Sequence, residues 1–369
     1  RMSALAGSSG GAASSPTYRI DDAGNALNPY GQIPRALGTM RWSPPMGAKP
    51  YREVVGKELY YRLLLLPGLG PLKIDEALIT VGETPLLEFE DVEVEIREGW
   101  ETDGALSLFS DDVYEESFDI ILREEDGWAT RTTLINVEEI SVDGYFPRLT
   151  KVKGATQREA RTVDLEIEYA PTGSGVWQAI PEAVSITDNS TEEVWFGRRW
   201  TVAQGQYDVR WRRITGDSSD TSIIDTCHWV TLRSVRYTDP IAAPGMAKVA
   251  IRFKASNELQ GALPPIRLTT ESYFKVFDPQ AGTWTYTLSA NPAWAGCEVL
   301  SGAGNPRPAA DSCNDLDGLV DFAAHCDANN LRVNGVIDYA DSVLSLFNDI
   351  AEAGWGAYTK SGTLNSVVF

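Results

Sequence analysis

From Leu37 to Asp126 apolar and polar residues alternate with a period of two. The clearest run sets Val92, Val94 and Ile96 on one side and Glu93, Glu95 and Arg97 on the other. Successive side chains on a strand point to opposite faces, so this is a strand with one dry and one wet face. The apolar run Leu63 to Leu66 predicts a buried strand, and it is far short of the roughly 20 residues that a membrane-spanning helix needs. "PGLGP" at 67–71 and "REEDG" at 123–127 supply turns. Short strands joined by turns predict an antiparallel barrel or sandwich here.

A second β pattern runs from about Gly144 to Asp239. "TVDLEIEYA" at 162–170 sets Val163, Leu165, Ile167 and Tyr169 against Asp164, Glu166 and Glu168. "GQYDVRWRRIT" at 205–215 does the same with Tyr207, Val209 and Trp211, and "TCHWVTLRSVRY" at 226–237 ends the unit. Evenly spaced strands carrying tryptophans over roughly 95 residues suit a β-sandwich of immunoglobulin or fibronectin type. The last third changes period. "DLDGLVDFAAHCDANN" at 315–330 places Leu316, Leu319, Val320 and Ala323 at helical spacing, with Asp315 as cap and Asn329–Asn330 as stop. "LRVNGVI" reads as a strand, "YADSVLSLFNDIAEAG" at 339–354 as a helix ending at Gly354, and "WGAYTKSGTLNSVVF" as a closing hairpin. The expected fold class is mainly β with a smaller α+β part.

At 369 residues the chain is long enough for two or three domains. "SALAGSSGGAASSP" at 3–16 has the composition of a flexible linker, so 1–36 is expected to be an arm. No stretch combines a basic start, an apolar run and a small-residue cleavage site. The four cysteines, Cys227, Cys297, Cys313 and Cys326, do not make a disulfide framework in a chain this long, and reduced, mostly buried thiols are expected. Net charge is −20, and 73–126 alone holds nineteen Asp and Glu against three Lys and Arg. Basic residues gather later, at Arg198, Arg199, Arg210, Arg212, Arg213, Arg233 and Arg236. Such acidity excludes holding nucleic acid by phosphate neutralisation.

Candidate chemistry is sparse. Cys227 and His228 are neighbours on a strand, point to opposite faces and cannot form a nucleophilic pair directly. Cys297, Cys313, His325 and Cys326 lack the paired C-x-x-C knuckle of a zinc site. "CNDLDG" at 313–318 puts Cys313 and Ala324 where a calcium loop needs an acid and a bidentate Glu. Neighbouring acids at Glu88, Glu90 and Asp91 or Asp111 and Asp112, with eleven tryptophans, raise glycoside hydrolysis, but acids at every second position mark a solvated face. "GSSGG" at 7–11 has no Lys-Ser or Lys-Thr partner for a phosphate loop. The chain is therefore read as a non-enzyme with no cofactor and no metal.

Five segments in order, "GAKPYREVVGKELYYRLLLLPGLGPL" (47–72), "GETPLLEFEDVEVEIREG" (82–99), "VAIRFKASNELQGALPPIRL" (249–268), "TLSANPAWAGCEVL" (287–300) and "SVLSLFNDIAEAGWGAYTKSGTL" (342–364), resemble the tail-tip or host-specificity protein J family of long-tailed phages. They lie on both sides of 140–240, which matches only loosely. The resemblance implies a β-rich hub domain at 37–139, an inserted fibronectin-like sandwich at 140–240, and a hub continuation with the α+β unit at 241–369. Insertions are tolerated at exposed loop tips. The family usually continues into fibronectin-like repeats and a receptor-binding tip, and the chain starts at Arg1, so a stretch of a longer polypeptide is expected.

Function, on this resemblance, is mechanical: the hub closes the distal tail tube, carries the receptor-binding extension and opens for DNA passage on host contact. The implied partners are two further copies in a homotrimer, the hexameric distal tail protein, the tape-measure protein and other tip proteins. A host surface receptor would be met through other regions, and DNA only as passing cargo. The location is the virion tail tip, after assembly in the bacterial cytoplasm. Glu88, Glu90, Asp91, Glu93 and Glu95 become candidate channel-lining acids, with plain solubility as the other reading. Arg210, Arg212 and Arg213 become candidate inter-subunit contacts. The competing classes are a carbohydrate-active or cell-wall-degrading tail component and a cell-surface adhesin module.

Overall fold

The computed structural model describes residues 25–109, 112–154, 157–237, 241–254 and 263–369. The linker expected at 3–16, the 7–11 glycine run and Asp111 lie outside the described residues.

Two β bodies are interleaved in sequence. The split body pairs Tyr51–Val55, Glu58–Leu69, Met246–Lys254 and Glu93–Arg97 in one antiparallel sheet. A second sheet is organised along the long strand Ile266–Asp278. Tyr61, Leu63 and Leu65 from before the interruption and Val249, Ile251 and Phe253 from after it fill one core. Leu64 faces the other way, against Leu106, Phe109 and Ala250. The apolar run is thus buried on both faces because the 104–109 segment covers its back. The strand also continues through Pro67 and Gly68, where a turn was expected, with its register to Met246–Lys254 shifting there. Gly68 has φ +106, and a Cβ there would meet the Pro34 carbonyl at 1.9 Å, so this glycine serves a close crossing. The chain bends at Gly70, whose peptide to Pro71 is cis.

The sandwich has its own core. One sheet orders Val194–Gly205, Val137–Phe146, Cys227–Arg236 and Asp112–Leu122. The other orders Ala129–Thr132, Tyr207–Arg213 and Arg161–Pro171, with Gln178–Ala179 and Val184–Asp188 on the far edge. Trp211 and Trp229 stack between the sheets at 5.2 Å and 3°. Sheet pairing starts this body at Asp112, not near 140. Asp112–Leu122 pairs with Cys227–Arg236 and Ala129–Thr132 with Tyr207–Arg213, so the 123–127 turn joins the two sheets of the sandwich. A period of two looks the same in either body, which is why alternation alone hid the boundary.

The C-terminal unit packs three helices, α1 (Pro292–Ser301), α2 (Leu316–Ala328) and α3 (Val343–Glu352), around Leu37 and Phe274 of the split body. The hairpin Ala357–Ser361/Leu364–Val368 closes it as expected. The expected strand at 331–337 shrinks to Gly335–Ile337, and the helix expected from 339 starts only after the Ser342 cap. Helix α1 was not anticipated, although Asn291 caps it and Pro292 opens it, a standard helix start. Asp315 caps α2 as predicted, accepting from the Gly318 amide at 3.2 Å and from the Ser366 hydroxyl at 2.8 Å. Replacing it with alanine is expected to cost about 0.5–2 kcal/mol, read from urea melts.

Candidate functional site

The place where both bodies and both chain connections meet is built on Glu53. This residue lies on Tyr51–Val55 and is 1% exposed. A carboxylate buried so deeply must be paired. The sheet register supplies the partners: Tyr51 lies opposite Arg62 and Arg62 opposite Arg252, so both arginines stand diagonally beside Glu53. Arg62 Nε donates to Glu53 Oε1 at 2.9 Å and Arg252 Nε at 3.0 Å. The other oxygen accepts from Arg199 of the sandwich. Burial alone would raise this carboxyl, but the Arg62 and Arg199 charges outweigh it and hold Glu53 below the usual carboxylate range.

Arg199 is equally well supplied on its own side. It pairs with Glu139 and donates to the Tyr237 hydroxyl at 2.9 Å, which in turn donates to Glu139 at 3.1 Å. The connections are held too, since Arg62 donates to the Leu108 carbonyl and the Tyr237 amide donates to Glu138 at 2.7 Å. Beside the ion pairs the backbones touch: the Gly197 amide donates to the Gly56 carbonyl at 3.1 Å, and a Cβ on Gly197 would lie 2.1 Å from the Val54 carbonyl. Lys57 donates to the Thr187 carbonyl and to Asp188, each at 2.7 Å. A cleft of ≈ 240 Å³ opens on one flank, lined by Arg52, Val54, Asp143, Trp195 and Arg233. Asp143 pairs with Arg233 at 2.6 Å, and burial raises its carboxyl while Arg233 pulls the other way.

The residues singled out in the sequence lie elsewhere. Glu88 and Glu90 are exposed, and Lys254 lies 3.2 Å from Glu90. Asp91 accepts from the Tyr60 hydroxyl at 3.0 Å, and Glu93 pairs with Arg252 at 2.5 Å. Glu95 is half-buried: it pairs with Arg97 and accepts from the Ser107 and Leu108 amides at 2.7 Å, clamping the covering segment. Two of the cations, Arg252 and Lys254, come from a strand some 160 residues later, so local charge counting overstated the bareness of this face. Arg210 and Arg212 are engaged within the sandwich. Arg210 is sandwiched by Trp128 at 4.1 Å and Trp177 at 3.8 Å and pairs with Glu168, while Arg212 pairs with Glu166. Arg213 continues the inward row of Tyr207, Val209 and Trp211 and is buried against Asp225 at 2.7 Å. It is removed from the inter-subunit set, because reaching another molecule would require unpacking the core.

Cys227 is buried and His228 packs on Tyr145, with its Nδ1 2.6 Å from Asp119. All four thiols are free, three buried and Cys313 exposed. Among the described residues no three His, Cys, Asp or Glu side chains gather as metal ligands. Asp112 pairs with Arg236 at 2.9 Å. Sequence reading missed Glu53, yet Arg62 and Arg252, each set in an apolar run ("YYRLLLL", "VAIRFK"), signalled a buried acid facing them.

Comparison with known proteins gives residues 112–238 as a match to the family model "Tip attachment protein J, FNIII-A domain". The match begins at the residue where sheet pairing begins the sandwich. No curated protein matches the chain. Solved structures with some likeness include the Drosophila NLP core (10% identity, 33% of this chain and 98% of that one, TM-score 0.18). T=1 particles derived from infectious bursal virus give 11% identity, 89% and 92% coverage and TM-score 0.23. A family 35 carbohydrate binding module from Clostridium thermocellum gives 8%, 50% and 97%, and 0.18. Scores this low bear on neither fold nor function. Residues 112–238 thus match the FNIII-A domain of tip attachment protein J and lie between the two halves of the body that carries the five resembling segments.

Proposed function

We propose that the chain is the hub of a phage tail tip, with the split body as the ring-forming part and the FNIII-A sandwich as its decoration. The observation that carries this reading is the FNIII-A match falling between two halves of one core. A body closed across an insertion keeps its shape while the insertion projects from it. In this reading three copies surround the tube exit beneath the distal tail protein, with the tape-measure protein and other tip proteins as neighbours. They close the tube and open it for DNA when the tip meets its host. Assembly takes place in the bacterial cytoplasm. Glu88 and Glu90, the exposed acids of the proposed lining, would repel passing DNA, and the remaining acids would hold the wall in shape.

Averaged images of intact tail tips test the proposal. The expected result is a three-fold ring coaxial with the tube, with density for residues 112–238 outside it. A peripheral single copy would overturn the hub reading, and hydrolysis of cell-wall polymer by the purified chain would replace it with the enzymatic one.

A further inference from the structure

We infer that the contact between the split body and the sandwich is a separable joint, latched by Glu53 and Arg199, about which the whole sandwich swings. The first ground is the absence of a shared core. Among the described residues the two buried apolar clusters have no member in common. Polar contacts between domains of one chain leave relative motion as the default, whereas a large apolar interface would freeze it.

The second ground is how the charges are shared out. If the latch opens, Glu53 keeps Arg62 and Arg252, both on its own sheet. Arg199 keeps Glu139 and Tyr237, both in the sandwich. Breaking a buried pair is usually costly because one charge is stranded. Here neither is stranded, and the polar contacts given up on opening include the Glu53–Arg199 pair, the Gly197–Gly56 hydrogen bond and the exposed Lys57 contacts. The third ground is room to move. The 240 Å³ cleft on one flank has a counterpart of ≈ 150 Å³, lined by Val55, Gly56, Ile180, Glu182 and Arg199. Ser141 Oγ and Asp143 Oδ1, both on the sandwich face turned to the joint, are buried without a hydrogen-bond partner among the described residues. A contact optimised for permanence would have satisfied them.

The Gly197 amide, bonded across the joint, reports on opening. In native-state hydrogen exchange of the full chain it should exchange about tenfold or more faster than the Trp211 amide in the sandwich core. Equal protection would overturn the inference. The Gly197→Ala variant adds a Cβ against the Val54 carbonyl while removing no charge. It should raise the radius of gyration in solution scattering and leave exchange at Trp211 unchanged. Unchanged scattering with the sandwich folded would overturn the joint. Should Gly197→Ala unfold the sandwich, Arg199→Gln decides in its place, where an expanded particle supports the latch and an unchanged one overturns it. These readouts use isolated protein and do not depend on the tail-tip assignment.

Discussion

Trp211→Ala is expected to destabilise the sandwich by about 3–5 kcal/mol, the range for truncating a fully buried large aromatic. Trp211 has no exposed surface, lies flat on Trp229 and packs beside Phe196 with ring centroids 5.8 Å apart. Gly144 faces both rings, and a Cβ there would sit 2.6 Å from Phe196 and 3.0 Å from Trp211. The sheet is pinched at this point to admit the indole, so the cavity cannot collapse easily. Trp211→Phe should cost far less, because among the described residues the Trp211 Nε1–H has no acceptor to lose. Trp229→Phe should cost more than Trp211→Phe, since Trp229 Nε1 donates to the Thr231 carbonyl at 3.0 Å. Urea melts followed by tryptophan fluorescence would rank the three; equal losses for the two Phe variants would remove the hydrogen bond from the account.

What the sequence disclosed follows from what is local. Alternation along 162–170 and 205–215 foretold the inward rows of the sandwich, and read to its end it also places Arg213 inside. Asp315 and the Asn329–Asn330 stop were legible because capping is decided within a few residues. The boundary at Asp112 was not, since pairing with Cys227–Arg236 is a contact between residues more than a hundred positions apart. The same distance hid the joint. Glu53, Arg199 and Arg252 come from three separated segments, and only their convergence makes a site. The acidic stretch misled for the converse reason: its cations, Arg252 and Lys254, lie on a strand paired to it across the whole insertion.

Glu53→Ala is expected to cost about 3–5 kcal/mol, the range for removing one partner of a buried charge pair. Arg62, Arg199 and Arg252 would share the loss unequally. Arg252 retains Glu93 and Arg199 retains Glu139, while among the described residues Arg62 keeps only the Leu108 carbonyl. The damage should therefore fall mainly on the split body and the 104–109 cover, in contrast to Gly197→Ala, which touches the joint alone. Acidity should reproduce part of the effect. Facing Glu53 are Arg62, Arg252 and Tyr51 from its own sheet and Arg199 from the sandwich, with Glu139 and Tyr237 behind. Because the folded carboxyl is held below its unfolded value of about 4.3, its contribution is fully present above that pH. It is lost as pH falls through the depressed folded value. Urea melts of the native chain should thus weaken on acidification in this window, and Glu53→Gln, which cannot titrate, should flatten that part of the curve. An identical acid slope in the Gln variant would assign the loss to other carboxylates.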